Sequence, residues 1–174
     1  MNKITLVVIL TILMATFFAC APRVAVNSDS AEVSKATAGI ADFDLPAGYG
    51  PEFTAQLGGY DLVAYNPGDG HSHLYLIQSE NEADREKLSQ TLADLIPGSS
   101  DSNTRLTVIE NRPVTVRGQA ATLVISDGLN SEGASYRQIT LAFQGKGGPA
   151  LLVFSEPTER WDPSAVDALL ASLQ

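Results

Sequence analysis

The chain reads as an α+β domain built on a single antiparallel β-sheet of about six to eight strands, covered by two main helices. Three observations carry that expectation. Residues 135–155 hold two apolar runs joined by Gly145-Lys146-Gly147-Gly148, where glycine allows a tight reversal, so the stretch is a β-hairpin. In its second run Ala150, Leu152 and Phe154 face one way while Leu151 and Val153 face the other; a strand apolar on both sides needs cover on both. The rest of the chain runs strands, helix, strands, helix, with short reversals and no β-α-β alternation.

Taken in order, Met1-Asn2-Lys3 is a short positive start and residues 4–19 an apolar run broken only by Thr5, Thr11 and Thr16. That run is too short for a comfortable membrane span and has the form of an export signal. Phe17-Phe18-Ala19-Cys20 resembles the lipobox of bacterial lipoproteins, in which the cysteine after a small residue takes lipid; Ala19 and Cys20 match, Phe17 and Phe18 depart. Cys20 is the chain's only cysteine, so lipidation there is the expected fate. Ordinary cleavage after Ala21 and an uncleaved anchor are the two alternatives. The organisation expected is a signal peptide over 1–20, a flexible tether over 21–41 and one α+β domain over 42–174. The tether rests on small and polar residues with no aromatic among them.

The domain opens at Phe43-Asp44-Leu45-Pro46-Ala47-Gly48-Tyr49, with a turn at Pro46. A strand over 52–57, the two-residue turn Gly58-Gly59, a strand over 60–65 and a third over 71–78 make a meander. Asn81 caps a helix with an acidic first turn, whose stripe is Leu88, Leu92, Leu95 and Ile96 and which Pro97 stops. Strands follow over 105–110, 114–117, 120–126, 136–143 and 149–154, with turns at Asn111-Arg112-Pro113 and Gly118-Gln119 and a long loop over 127–134. The last helix has complete start signals: Asp162 as N-cap, Pro163 in the first turn, and Trp161 placed to staple onto Val166 ahead of Leu169, Leu170 and Leu173.

These turns carry a resemblance. The opening Phe43–Tyr49 motif, Arg117-Gly118-Gln119, Tyr136-Arg137-Gln138, Gly145-Lys146-Gly147-Gly148 and Trp161-Asp162 are similar to those of a group of bacterial lipoproteins and secreted proteins. Their element order in turn resembles the PsbP-like fold, which includes an extrinsic oxygen-evolving subunit of photosystem II and a Ran-binding nuclear import factor. The resemblance implies a binding or assembly module without catalysis, and transfers no functional residue.

Composition excludes one class and weakens others. A net charge of −9, with Lys3 the one cation before residue 20, provides no basic stripe, so no nucleic-acid partner is expected. A lone cysteine rules out a Cys-based metal cluster and an internal disulfide. Both histidines, His71 and His73, stand two apart on an expected strand; with Asp69 nearby they are the weak candidates for a metal site, still short of a third protein ligand. Gly145-Lys146-Gly147-Gly148 lacks the first glycine and the Ser or Thr of a P-loop. The 127–133 loop puts Leu129 and Ser131 where a calcium loop carries ligands. Gly-x-Ser-x-Gly is absent, and no catalytic residue or cofactor is expected. The reading is an exported, lipid-anchored, non-enzymatic binding or assembly module of the bacterial cell envelope. It would hold the membrane through its N-terminal lipid and a protein or other envelope component through its domain. The alternative is a metal-dependent activity at His71 and His73.

Overall fold

The computed structural model describes residues 25–95, 106–130 and 132–174. Their elements, in chain order, are β1 (Ala25–Asn27), α1 (Ser30–Ile40), β2 (Gly50–Leu57), β3 (Tyr60–Asn66), β4 (His73–Ser79), a 3₁₀ segment (Glu82–Lys87) running into α2 (Leu88–Leu95), β5 (Thr107–Val116), β6 (Gln119–Leu129), β7 (Ser135–Gln144), β8 (Pro149–Pro157), a short 3₁₀ turn (Thr158–Arg160) and α3 (Pro163–Ser172). All eight strands join one sheet in the order β1-β2-β3-β4-β8-β7-β6-β5, and every neighbouring pair is antiparallel.

The expected central strand is β8, held between β4 and β7. Leu152 and Phe154 point into the larger core with Leu74, Leu76, Ile139 and Leu141, under α1 and α3. Leu151 and Val153 point to the other face, where Leu88 and Leu92 of α2 cover Leu62 and Ile77. Full burial of each such side chain contributes about 1.5–3 kcal/mol, so the two-sided strand is where the two layers are joined.

The hairpin turn does more than reverse the chain. The buried Gln78 amide accepts from Gly147 N–H at 2.9 Å, and a Cβ on Gly148 would collide with the Ser79 carbonyl oxygen. Lys146 reaches the other way: its backbone N–H donates to Ile40 O at 2.8 Å, and its Nζ to Ala38 O at 2.9 Å and Asp42 Oδ2 at 2.7 Å. A cation on the last carbonyls of a helix answers the negative end of its dipole, so this turn locks the C-terminus of α1.

Helix α1 corrects the expected tether. Asp29 caps it, accepting from Ala31 N–H and Glu32 N–H. Val33, Thr37 and Ile40, at i, i+4 and i+7, are buried on the sheet, and Thr37 and Tyr65 share a 2.5 Å hydrogen bond between hydroxyls. The folded unit therefore includes the chain from Ala25 rather than starting at 42. It carries three α-helices among the described residues instead of two.

Other departures have local causes. The expected turn at Asn111-Arg112-Pro113 is the middle of β5, continuous from Thr107 to Val116 with a bulge between Val108 and Glu110. Proline is tolerated because β5 is the outermost strand. The 127–134 loop shrinks, since Asp127–Leu129 pairs with Ser135–Arg137 and Asn130 closes the turn by accepting from Glu132 N–H and Ala134 N–H. Asn81 caps as expected but opens a 3₁₀ segment first. Ile96 and Pro97 lie outside the described residues, as do Cys20, the rest of the signal segment and residues 21–24. The cap of α3 matches expectation: Asp162 accepts from Ser164 N–H at 2.8 Å, and Trp161 and Val166 share one core cluster.

Candidate functional site

The sheet face that packs α1 and α3 ends, away from the Gly145–Gly148 turn, in a polar row. Strand register sets Asp127 beside Arg137 and Arg137 beside Glu156. Arg137 donates Nε and Nη2 to the two Asp127 oxygens at 2.6 and 2.9 Å, a fork-on-carboxylate pair. Those bonds hold the Asp127 carboxyl below its ordinary value and raise the guanidinium above its own. The same guanidinium sits 5.6 Å from the Trp161 ring centroid. Trp161 in turn packs on Phe154 at 6.2 Å, with Tyr49 on the same ring at 5.6 Å.

Two neighbouring carboxylates are tuned in opposite directions. Glu156 is buried, and burial raises its pKa although Tyr49 donates a hydrogen bond to Oε1 at 3.2 Å and Arg160 is near. Burial also raises the Tyr49 phenol, and the Glu156 charge adds to it. At Asp69 burial acts upward too, but four donors outweigh it: His71 N–H and Ser72 N–H at 2.9 Å each, Ser72 Oγ at 2.8 Å, and the Arg160 guanidinium. Its carboxyl ends well below the usual range.

Beside Trp161, between the bulge of β5 and the start of α3, lies a groove of about 150 Å³. Ile125 and Val166 are its buried apolar residues; Ile109, Pro163 and Trp161 line it further, and Arg112 and Arg137 bring charge. Arg112 Nη2 donates to Asp167 at 2.8 Å, while its buried Nε has no partner. With Glu110 and Asp167 beside one arginine and Asp127 on the other, the charges largely cancel and the groove is not an anion site. A second, wider recess of about 420 Å³ lies between α1 and the β1–β3 edge, lined by Lys35, Glu32, Gly39, Gln56 and other small or polar residues with no aromatic. The first groove has the chemistry of a binding site: aromatic and arginine side chains over an apolar floor.

The expected metal candidates separate. The strand starts only at His73, which pairs with Ser155; His71 is exposed in the preceding turn, so the shared strand face does not form. His73 stacks on Tyr75 at 5.5 Å, with a buried Nδ1 that has no partner. The Tyr75 phenol is pushed up to about 12 by burial and by Glu52. Asp69 is committed to its own turn and Arg160 rather than to either imidazole. Among the described residues no three His, Cys, Asp or Glu side chains converge. Of the groove's lining, Trp161, Pro163 and Val166 are legible in the sequence as the start of the last helix, with Trp161 first a packing residue. Arg137, Arg112 and Asp127 enter the sequence reading only as parts of a turn motif, an expected turn and a polar loop, and Ile109 only inside an expected strand, because the pairing that gathers them depends on strand register between distant segments.

No family model matches the chain, and no curated protein matches it. Among solved structures it is similar to the solution structure of cyanobacterial PsbP (CyanoP) from Synechocystis sp. PCC 6803, at 14% identity over 90% of this chain and 95% of that one, with a TM-score of 0.47. That likeness is of fold alone.

Proposed function

We propose that the chain is an exported, lipid-anchored, non-enzymatic binding module of the cell envelope, which seats a side chain of a partner protein in the groove beside Trp161. The size of the groove carries this reading. Pockets for small molecules and cofactors run to about 300–1,000 Å³, whereas about 150 Å³ accommodates one apolar side chain. Trp161 and Arg137 are already held by Phe154 and Asp127, so little ordering entropy is lost when a partner docks. The export signal and Cys20 support the address. Nothing in the geometry favours a metal centre at His71 and His73.

A photoreactive residue at exposed Pro163, which lines the groove, tests the docking reading in cells. The expected product is a covalent adduct to one envelope protein, lost when Ile109→Asp charges the groove. Products identical to those from a probe at exposed Glu86, or second copies of this chain alone, would overturn it. The address is tested separately: Cys20→Ser should abolish incorporation of labelled fatty acid, and unchanged labelling would remove the anchor.

A further inference from the structure

Strand β5 closes the sheet opposite β1, and no strand of the described residues pairs with its outer edge. Three large apolar side chains are exposed at its start, Leu106 (44%) just before the strand and Val108 (53%) and Ile109 (48%) within it. An open edge with apolar side chains is a template for another strand, and the identity of that strand is written in β5 itself.

Pro113 pairs opposite Thr122 yet has no N–H to give, so its nitrogen must face outward. Backbone direction alternates along a strand, and Asn111, two residues earlier, therefore turns its own N–H and C=O outward as well. Around Asn111 the strand is its own antiparallel complement. Glu110 on one side answers Arg112 on the other, and both lie on the groove face, since their β6 partners Ile125 and Leu123 are core residues of that face. One step further out, the bulge gathers Val108 and Ile109, and these answer Pro113.

We propose that β5 pairs antiparallel with β5 of a second copy about a two-fold axis at Asn111. The two Asn111 residues exchange a pair of backbone hydrogen bonds, and Glu110 of each copy meets Arg112 of the other. The side chains for this contact stand clear of the core: Arg112 is 36% and Glu110 51% exposed, and within one copy they approach only to 3.9 Å, too far for a hydrogen bond. The interface is isologous, so each favourable contact occurs twice. A parallel pairing would set arginine beside arginine. Among the described residues the opposite edge is the three-residue β1. The same features keep the dimer weak: Pro113 ends the ladder on each side, and two copies at −9 each repel. The contact therefore belongs to the class that buries less than about 1,200 Å².

Sedimentation equilibrium of the full chain in mild detergent reads this directly, at about 0.15 M salt, where screening shortens the net repulsion to roughly 8 Å. Wild type should pass from monomer to dimer as its concentration rises towards about 1 mM. Glu110→Arg and Arg112→Glu should each weaken self-association by about tenfold or more, because like charges then face each other across the axis. An equimolar mixture of the two variants should associate about as well as wild type, since each now complements the other. Asn111→Pro removes the central N–H without touching a charge, and should also abolish the dimer, which keeps the test decisive if Arg112→Glu fails to fold beside Asp167. A wild type that stays monomeric throughout, a dimer indifferent to these substitutions, or a mixture no better than its components would each overturn the proposal.

Discussion

Ile40→Ala separates a folded first helix from a tether. Ile40 is fully buried at the end of α1, packed in the larger core with Val33, and its carbonyl takes the Lys146 N–H. The substitution leaves that backbone bond intact and removes three carbons, about 2.4 kcal/mol of transfer free energy at roughly 0.8 per methylene. The sheet behind α1 is pinned on both sides by other strands, so the space cannot fully collapse, and the cavity raises the expected loss to about 3–4 kcal/mol. With a urea dependence on the order of 2 kcal/mol per molar for a domain of this size, the unfolding midpoint should fall by about 1.5–2 M. Urea titration followed by Trp161 fluorescence measures it, the probe sitting in the same core cluster. A midpoint within the scatter of surface substitutions, about ±0.5 kcal/mol, would mean that α1 does not belong to the cooperative unit.

Gly148→Ala should cost more than 1 kcal/mol, roughly 1–3, because φ is +154° and the new Cβ would meet the Ser79 carbonyl; a melting temperature unchanged from wild type would refute the close approach. The two tuned carboxylates should respond to pH with opposite signs. Glu156 has a raised folded pKa, so the native state holds its proton more tightly. Stability on this account is highest below the ordinary value of 4.5 and declines as pH rises through the folded pKa. Glu156→Gln should therefore match or exceed wild-type stability at neutral pH and lose that advantage in acid. Asp69 has a lowered folded pKa, so its contribution is present above 3.8 and is lost as pH falls towards the folded value. Asp69→Asn should destabilise at neutral pH and matter less in acid. Thermal unfolding between about pH 3 and 8 checks both, and curves of the same sign for the two variants would contradict the assigned environments.

Elements that depend on neighbours in the chain were readable in advance: the Gly58-Gly59 turn, now with positive φ at both residues, the 145–148 reversal, and the Asp162-Pro163 helix start. Helix α1 was missed because its buried stripe is only Val33, Thr37 and Ile40 among small residues, too lean for a compositional test although the i, i+4, i+7 spacing and the Asp29 cap were present. Asn111-Arg112-Pro113 misled because proline breaks an inner strand but not an outer one, and which strand is outermost follows from the order of the whole sheet. The groove was illegible for a related reason. Trp161 meets Arg137 only because β7 and β8 are paired in one register, and no short spacing encodes that.

Under the proposed lipid anchor, helix α1 and strand β1 also limit how far the domain could stray from a bilayer. A tether of about 20 residues would let it wander roughly 25 Å. With folded structure from Ala25 onward, four residues separate a lipid on Cys20 from the first strand, five steps of the chain, at most about 18 Å when fully drawn out. The sheet edge nearest the anchor is β1, and seven strand spacings of about 4.8 Å put β5 up to roughly 34 Å away. A molecule so anchored would stand on its first strand like a short post, with Trp161, Arg137 and the β5 edge on the far side of the sheet from the anchor.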